Sequence, residues 1–221
     1  MLRSPNSLRS SCPQRCLCAL MIGMLLLPTM GCGFMSHLMY WTGGNLIAAK
    51  FPGLKDKKVA VVCFDANSSG PAPETDAVAK AIGFKLAQND IEVIPHQQVL
   101  DWMDKQPENV TDFLDVGRGV KADMVVGVEL DSFRIHDGST LLRGRARTAV
   151  KVYDMTAGGK LVYETPMQDI VYPENGSRMT SSDNETAFKY LFIDILSRRI
   201  SKDFYSYDHA FDFAEDARFR D

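Results

Sequence analysis

The sequence predicts an α/β (α+β) protein: a mixed sheet with a β-α-β-α start, an antiparallel meander or hairpin, and a closing C-terminal helix. Three observations predict it. Val59–Phe64 is a continuous valine-rich run between polar stretches, which suits a strand buried on both faces. Lys121–Phe133 starts as a buried apolar run and becomes alternating, and Arg145–Asp154 alternates more strictly between apolar and polar residues, which suits strands with one face exposed. Glu185–Phe204 repeats Phe188, Phe192, Leu196, Ile200 and Phe204 every fourth residue, the apolar stripe of an amphipathic helix.

The elements follow in order. Val59–Phe64 runs into the loop Asp65–Pro73. Glu74 and Asp76 then open a helix, where negative charge suits the N-terminal dipole, and Val78, Ile82 and Leu86 share one face. Asn89-Asp90 ends it, and Ile91–Ile94 reads as a second strand stopped by Pro95. Val99, Leu100, Trp102 and Met103 lie on a short helix, and Asp112–Val120 forms another. In the next strand Met124, Val126, Val128 and Leu130 share a face, with Glu129 and Asp131 opposite. Ala146, Thr148, Val150 and Val152 point inward, while Arg145, Arg147, Lys151 and Tyr153 point outward. The turn Met155–Gly159 closes a hairpin with Leu161–Tyr172, and Pro166 pushes that last strand toward an edge or a bulge.

The N-terminus carries an address. Arg3, Arg9 and Arg15 precede the apolar run Leu17–Leu27, no acid precedes Cys32, and Gly31 stands directly before it. The run is too short for a mature membrane span and suits a secretory signal. The domain reading is therefore 1–31 lipoprotein-type signal peptide, 32–57 lipidated N-terminus and linker, 58–206 a single α/β domain, and 207–221 an acidic, aromatic tail. Gly31-Cys32 resembles the bacterial lipobox, which implies palmitate on Cys32. An ordinary cleaved signal with a chance cysteine stays open, because Thr29 and Met30 depart from the lipobox pattern. Gly33 lacks the aspartate that resembles an inner-membrane retention signal. The expectation is an exported, membrane-anchored lipoprotein facing the periplasm, with the outer membrane favoured. The apolar residues of 33–57, Phe34 to Trp41 among them, could lie at the membrane surface or pack on the domain.

Charge and cysteine content narrow the rest. The leader holds three arginines and no acid, so of 25 basic and 28 acidic side chains 22 and 28 remain, a net charge of −6. Nucleic-acid binding needs a basic footprint and is excluded as an expectation. Cys12, Cys16 and Cys18 leave with the signal and Cys32 would be acylated. Cys63 alone remains, within an apolar run with no activating neighbour, and reads as a small core residue.

The order Lys58–Phe64, helix, Ile91–Ile94, then Gly119–Gly127 resembles the periplasmic domain shared by the curli-secretion lipoprotein CsgG and the penicillin-binding-protein activator LpoB, with the N-terminal domain of TolB as a distant relative. That family places a Gly-Ala-Asp-like turn before a strand ending near a glycine. Here Gly119, Ala122, Asp123 and Gly127 take those places, and Tyr153–Tyr163 looks like the family's strand–turn–strand hairpin. The resemblance covers about residues 58–206. It implies the fold more than an activity. There is no room for the pore-forming strands of the curli protein, and residues 33–57 contain only Pro52 where the synthase activator has a Pro-rich spacer.

No catalytic constellation, cofactor fingerprint or metal-ligand spacing stands out, so no enzyme, cofactor or metal is expected. His37, His96, His136 and His209 are far apart and read as surface histidines; Asn67–Gly70 reads as a connecting loop, although a helix N-terminus after a strand could hold a ligand. The outward row Arg143, Arg145, Arg147 and Lys151 is the one charge pattern worth weighing. With Tyr153 it is the candidate interaction surface; the alternative is a solvated face paired across the sheet with Glu129 and Asp131. The expected function is a protein-interaction or scaffold module in envelope assembly or regulation, held by its lipid and bound to an unidentified envelope protein. The alternative is an oligomeric subunit of a secretion or transport assembly, so a homo-oligomer stays open. A hydrolase with an unrecognised site comes third.

Overall fold

The computed structural model of the chain describes residues 46–67, 72–107, 110–176, 178–179 and 182–208. The leader, Cys32, the apolar stretch through Trp41 and the tail from His209 lie outside the described residues. The chain divides into two compact units, Met1–Leu46 and Ile47–Asp221; the second carries the elements below.

Six residues of uninterrupted apolar and small side chains, Val59–Phe64, put β1 at Val59–Asp65, with its first five residues buried. Helix α1, Pro73–Ala87, starts with proline at its first position, where no intrahelical N–H is needed. The Thr75 hydroxyl donates to the Ala72 carbonyl at 2.7 Å and accepts from the Ala72 N–H at 3.3 Å, closing the first turn. Helices α2, His96–Met103, and α3, Phe113–Gly119, follow. The Asp112 carboxylate caps α3 by accepting from the Leu114 N–H at 2.9 Å.

Strands β2, Met124–Asp137, and β3, Leu141–Asp154, are the longest. Beyond them come β4, Lys160–Glu164, β5, Gln168–Tyr172, β6, Arg178–Met179, and helix α4, Ser182–Ser201. Two-residue strands at Leu46–Ile47 and Tyr207–Asp208 stand at either end of the described chain.

The fold class is the one expected. β1 pairs parallel with β2, β2 antiparallel with β3, and the far edge of β3 takes β4, β5 and β6 in turn. Two details differ from the sequence reading. Ile91–Ile94 makes a single parallel bridge, Val59 to Val93, because Pro95 and the α1 exit leave only the Glu92 carbonyl and the Ile94 N–H to meet β1. Leu161–Tyr172 is two strands separated at Thr165–Met167. Pro166 has no N–H to give a ladder. Beside it the Thr165 hydroxyl accepts the Val150 N–H at 2.9 Å while the Thr165 N–H donates to the Val150 carbonyl.

The sheet has two unlike faces. Val61, Val126, Val128, Ala146 and Val150 join Ile82, Leu86, Phe192 and Leu196 in the main core, so α1 and α4 cover that face. On the other face Val62 and Val125 pack with Val99, Phe113 and Val116, so α2 and α3 cover the β1–β2 side and reach β3 only at its Tyr153 end. Phe188, Phe192, Leu196, Ile200 and Phe204 are all buried, as the stripe predicts, although α4 ends at Ser201 and Phe204 lies beyond it. Two glycines make room for rings. A Cβ on Gly144 would stand 2.3 Å from the Phe192 ring, and one on Gly127 would stand 2.8 Å from Phe113. The family-like Asp123 ties the two parallel strands at their start: its carboxylate accepts from the Lys58 N–H at 2.9 Å.

Candidate functional site

Two features of the second unit could carry function: the charged row of β3 and a cleft at the carboxyl end of β1. Alternation along β3 places Arg145, Arg147 and Lys151 on the face that α1 and α4 do not cover. Arg145 and Arg147 remain 45% and 54% exposed. Each arginine meets an acid at long range: Arg145 to Asp137 at 3.4 Å, Arg147 to Asp131 at 3.6 Å and to Asp169 at 4.0 Å. Lys151 is held more closely. Its ammonium donates to Glu129 at 2.6 Å, and this hydrogen bond raises the Lys151 pKa above its ordinary value. Glu129 and Asp131 thus sit where the cross-strand reading put them.

Arg143 and Tyr153 depart from the row. Arg143 is half-buried and donates to the Glu174 carbonyl at 2.8 Å. Tyr153 is half-buried and stacks on Phe113, with ring centroids 6.1 Å apart. Burial pushes its hydroxyl pKa up. The available surface is therefore Arg145 and Arg147, with Lys151 engaged beside them and Tyr153 serving as the seam with α3.

The second feature is a cleft of about 790 Å³ between the end of β1, the first turn of α1, α2 and the approach to α3. In open parallel sheets this is where ligands sit, because the strand ends there and the helices diverge. Val99, Leu100, Met103 and Phe113 give it an apolar floor; Asp65, Asp76, Asp104 and Glu129 bring carboxylates to its lining. His96, at the start of α2, contacts the Asp76 carboxylate of α1 across this cleft. It is half-buried and paired, not the free surface histidine the sequence suggests. Nothing in the chain pattern brings positions 20 apart together; only the packing of α1 against α2 does. His136 stays exposed, 3.6 Å from Glu185. His37, His209 and most of Asn67–Gly70 lie outside the described residues; Asn67 itself donates to the Asp131 carbonyl at 2.7 Å.

Cys63 faces the main core, and its burial raises the thiol pKa, the Asp65 charge adding to the effect. A thiol held protonated is a poor nucleophile, which agrees with a packing role. Among the described residues no group of three or more His, Cys, Asp or Glu is placed to hold a metal ion. No described helix is long and apolar enough to cross a membrane.

No family model and no curated protein matches the chain. Solved structures similar to the described domain include bacterial lipoproteins. They include lipoprotein GNA1162 from Neisseria meningitidis, at 10% identity and a TM-score of 0.40 over 65% of this chain and 97% of that one. A PelC dodecamer from Paraburkholderia phytofirmans is similar at 12% identity and 0.40, over 71% and 93%. The LpoB C-terminal domain from Salmonella enterica, of the kind named by the sequence resemblance, is similar at 13% identity and 0.37, over 55% and 87%.

Proposed function

We propose that this chain is an exported lipoprotein, acylated at Cys32, whose α/β domain works at an envelope membrane by docking a protein partner. On this reading it is not an enzyme, and its lipid faces the periplasm, with outer-membrane residence favoured. The observation that carries the reading is the half-covered sheet face. Helices α2 and α3 cover the β1–β2 side and the Tyr153 end of β3, leaving Arg145 and Arg147 exposed on a rigid strand. Arginine is prominent among residues that dominate interface energy, and ion pairs this long and exposed restrain it little. The net charge of −6 for the mature chain makes this row a local exception, so it selects an acidic patch on the partner. The test is a crosslinking pull-down from intact envelopes with Arg145→Ser/Arg147→Ser. Recovery of the partner should fall sharply; undiminished recovery would refute the docking row.

A second reading, the oligomeric subunit, draws support from β4. Among the described residues this strand pairs only with β3, and Leu161 and Val162 are 40% and 38% exposed on it. An apolar edge strand is a pairing site for another chain. Light scattering of the full chain in detergent, with and without Leu161→Lys, distinguishes the two: an assembly that the lysine dissolves supports the subunit, a monomer supports the docking module.

A further inference from the structure

The loop from β5 to β6 is held firmly at one residue and left bare at the next two. Glu174 is fixed twice: its carbonyl accepts from Arg143 at 2.8 Å, and its carboxylate meets Arg199 at 3.2 Å. Asn175 and Gly176 then stand exposed, and among the described residues neither the Asn175 amide nor the Gly176 N–H has a hydrogen-bond partner. Gly176 has a φ of +96°, a conformation that a residue with a Cβ adopts only under strain. A Cβ built there would meet nothing within 4 Å, so the glycine faces open space. The turn therefore needs the glycine, and the glycine leaves its nitrogen uncovered beside an unrestrained side-chain amide. The other described asparagines differ. The Asn67 amide donates to the Asp131 carbonyl at 2.7 Å and the Asn89 amide to the Lys85 carbonyl at 2.9 Å. Neither of them precedes a glycine, nor does Asn184 of α4.

We infer that Asn175-Gly176 is a self-modification site, where the folded chain converts its own side-chain amide to a carboxylate. The Gly176 nitrogen attacks Cγ of Asn175. A C–N bond forms, the Cγ–Nδ2 bond breaks, and ammonia leaves carrying the Gly176 amide proton. Water then opens the cyclic imide at either of its carbonyls. One opening gives aspartate; the other gives isoaspartate, which lengthens the main chain by a methylene between the Glu174 anchor and β6. Either product sets a new carboxylate beside Glu174, where Arg143 and Arg199 already hold the loop. The inference is independent of the docking row and of the β4 edge.

The experiment ages the full chain in detergent, in warm and mildly alkaline buffer, and follows each asparagine by peptide mass mapping. An isoaspartate methyltransferase with labelled S-adenosylmethionine is the probe for the isomer. In the folded chain Asn175 should convert at least about tenfold faster than Asn67 or Asn89, whose amides must first break hydrogen bonds. Urea should narrow that gap by releasing Asn67 and Asn89, while the Asn175 rate stays close to its folded value. Asn175→Gln should abolish methylation of this peptide, because the larger ring closes far more slowly. The inference is overturned if folded Asn175 converts no faster than Asn67 and Asn89, if its rate rises in urea as steeply as theirs, or if Asn175→Gln leaves methyl incorporation unchanged.

Discussion

Phe192 offers the sharpest test of how the helix layer is held to the sheet. Its side chain is fully buried, its ring lies 5.3 Å from that of Phe133, and it occupies the space that Gly144 leaves by having no side chain. Truncation to alanine removes the ring and leaves a cavity on the order of 100 Å³, which at about 24 cal/mol per Å³ contributes about 2.4 kcal/mol. The lost burial adds about 1.5–3 kcal/mol, so Phe192→Ala should cost about 4–5 kcal/mol. That is a large part of the roughly 5–15 kcal/mol expected of a domain. Gly144→Ala approaches the same contact from the other side. Its new Cβ would stand 2.3 Å from the ring, and overpacking of this kind costs about 1–3 kcal/mol. Gly144 does not have a positive φ, so alanine meets no backbone obstacle there. Combined with Phe192→Ala, the methyl group enters the cavity and returns about 0.8 kcal/mol. The double variant should therefore be at least as stable as Phe192→Ala alone, a strong departure from additivity. Urea unfolding followed by circular dichroism measures all three. A loss below about 1 kcal/mol for Phe192→Ala, or strictly additive costs, would refute the wedge.

Other consequences follow from the buried thiol, the charged row and the lipobox. Burial raises the Cys63 pKa, so the folded chain keeps a proton that the unfolded chain releases; stability should fall as pH rises from about 8 to about 9.5, through the ordinary thiol range. Cys63→Val should flatten that slope in urea midpoints, and a wild-type slope equal to the variant's would count against it. Tyr163, whose hydroxyl pKa is pushed up to about 12 by burial and by Asp203, adds the same sign of loss only above about pH 10. Arg145→Ser/Arg147→Ser should shift melting little, because exposed ion pairs contribute at most about 1 kcal/mol each; a large drop would make the row cross-strand support. Cys32→Ala should abolish incorporation of labelled palmitate, since the thiol is the acyl acceptor; equal labelling of the variant would refute acylation there.

Local pattern alone determined a good deal of this protein. The period of four in Phe188–Phe204 predicts a buried stripe, and those five side chains are buried. The alternation in β3 predicts which side chains face outward, and Arg145 and Arg147 do. Pro166 marks the break between β4 and β5 because a missing N–H is a property of one residue, legible without any partner. Capping is equally local: Asp112 is recognisable before α3 and caps it. What depends on distant residues was not legible. Tyr153 has the outward phase of its strand, yet α3 covers it, because helix placement decides which part of a sheet face stays open. Ile91–Ile94 has strand composition but meets β1 at one bridge, since pairing is set by both edges and not by propensity. His96 and Asp76 meet only because α1 packs against α2, and the cleft beside them lies where β1 ends. A period in sequence records which side of its own element a residue faces; which residues share a cavity is recorded only by how the elements pack.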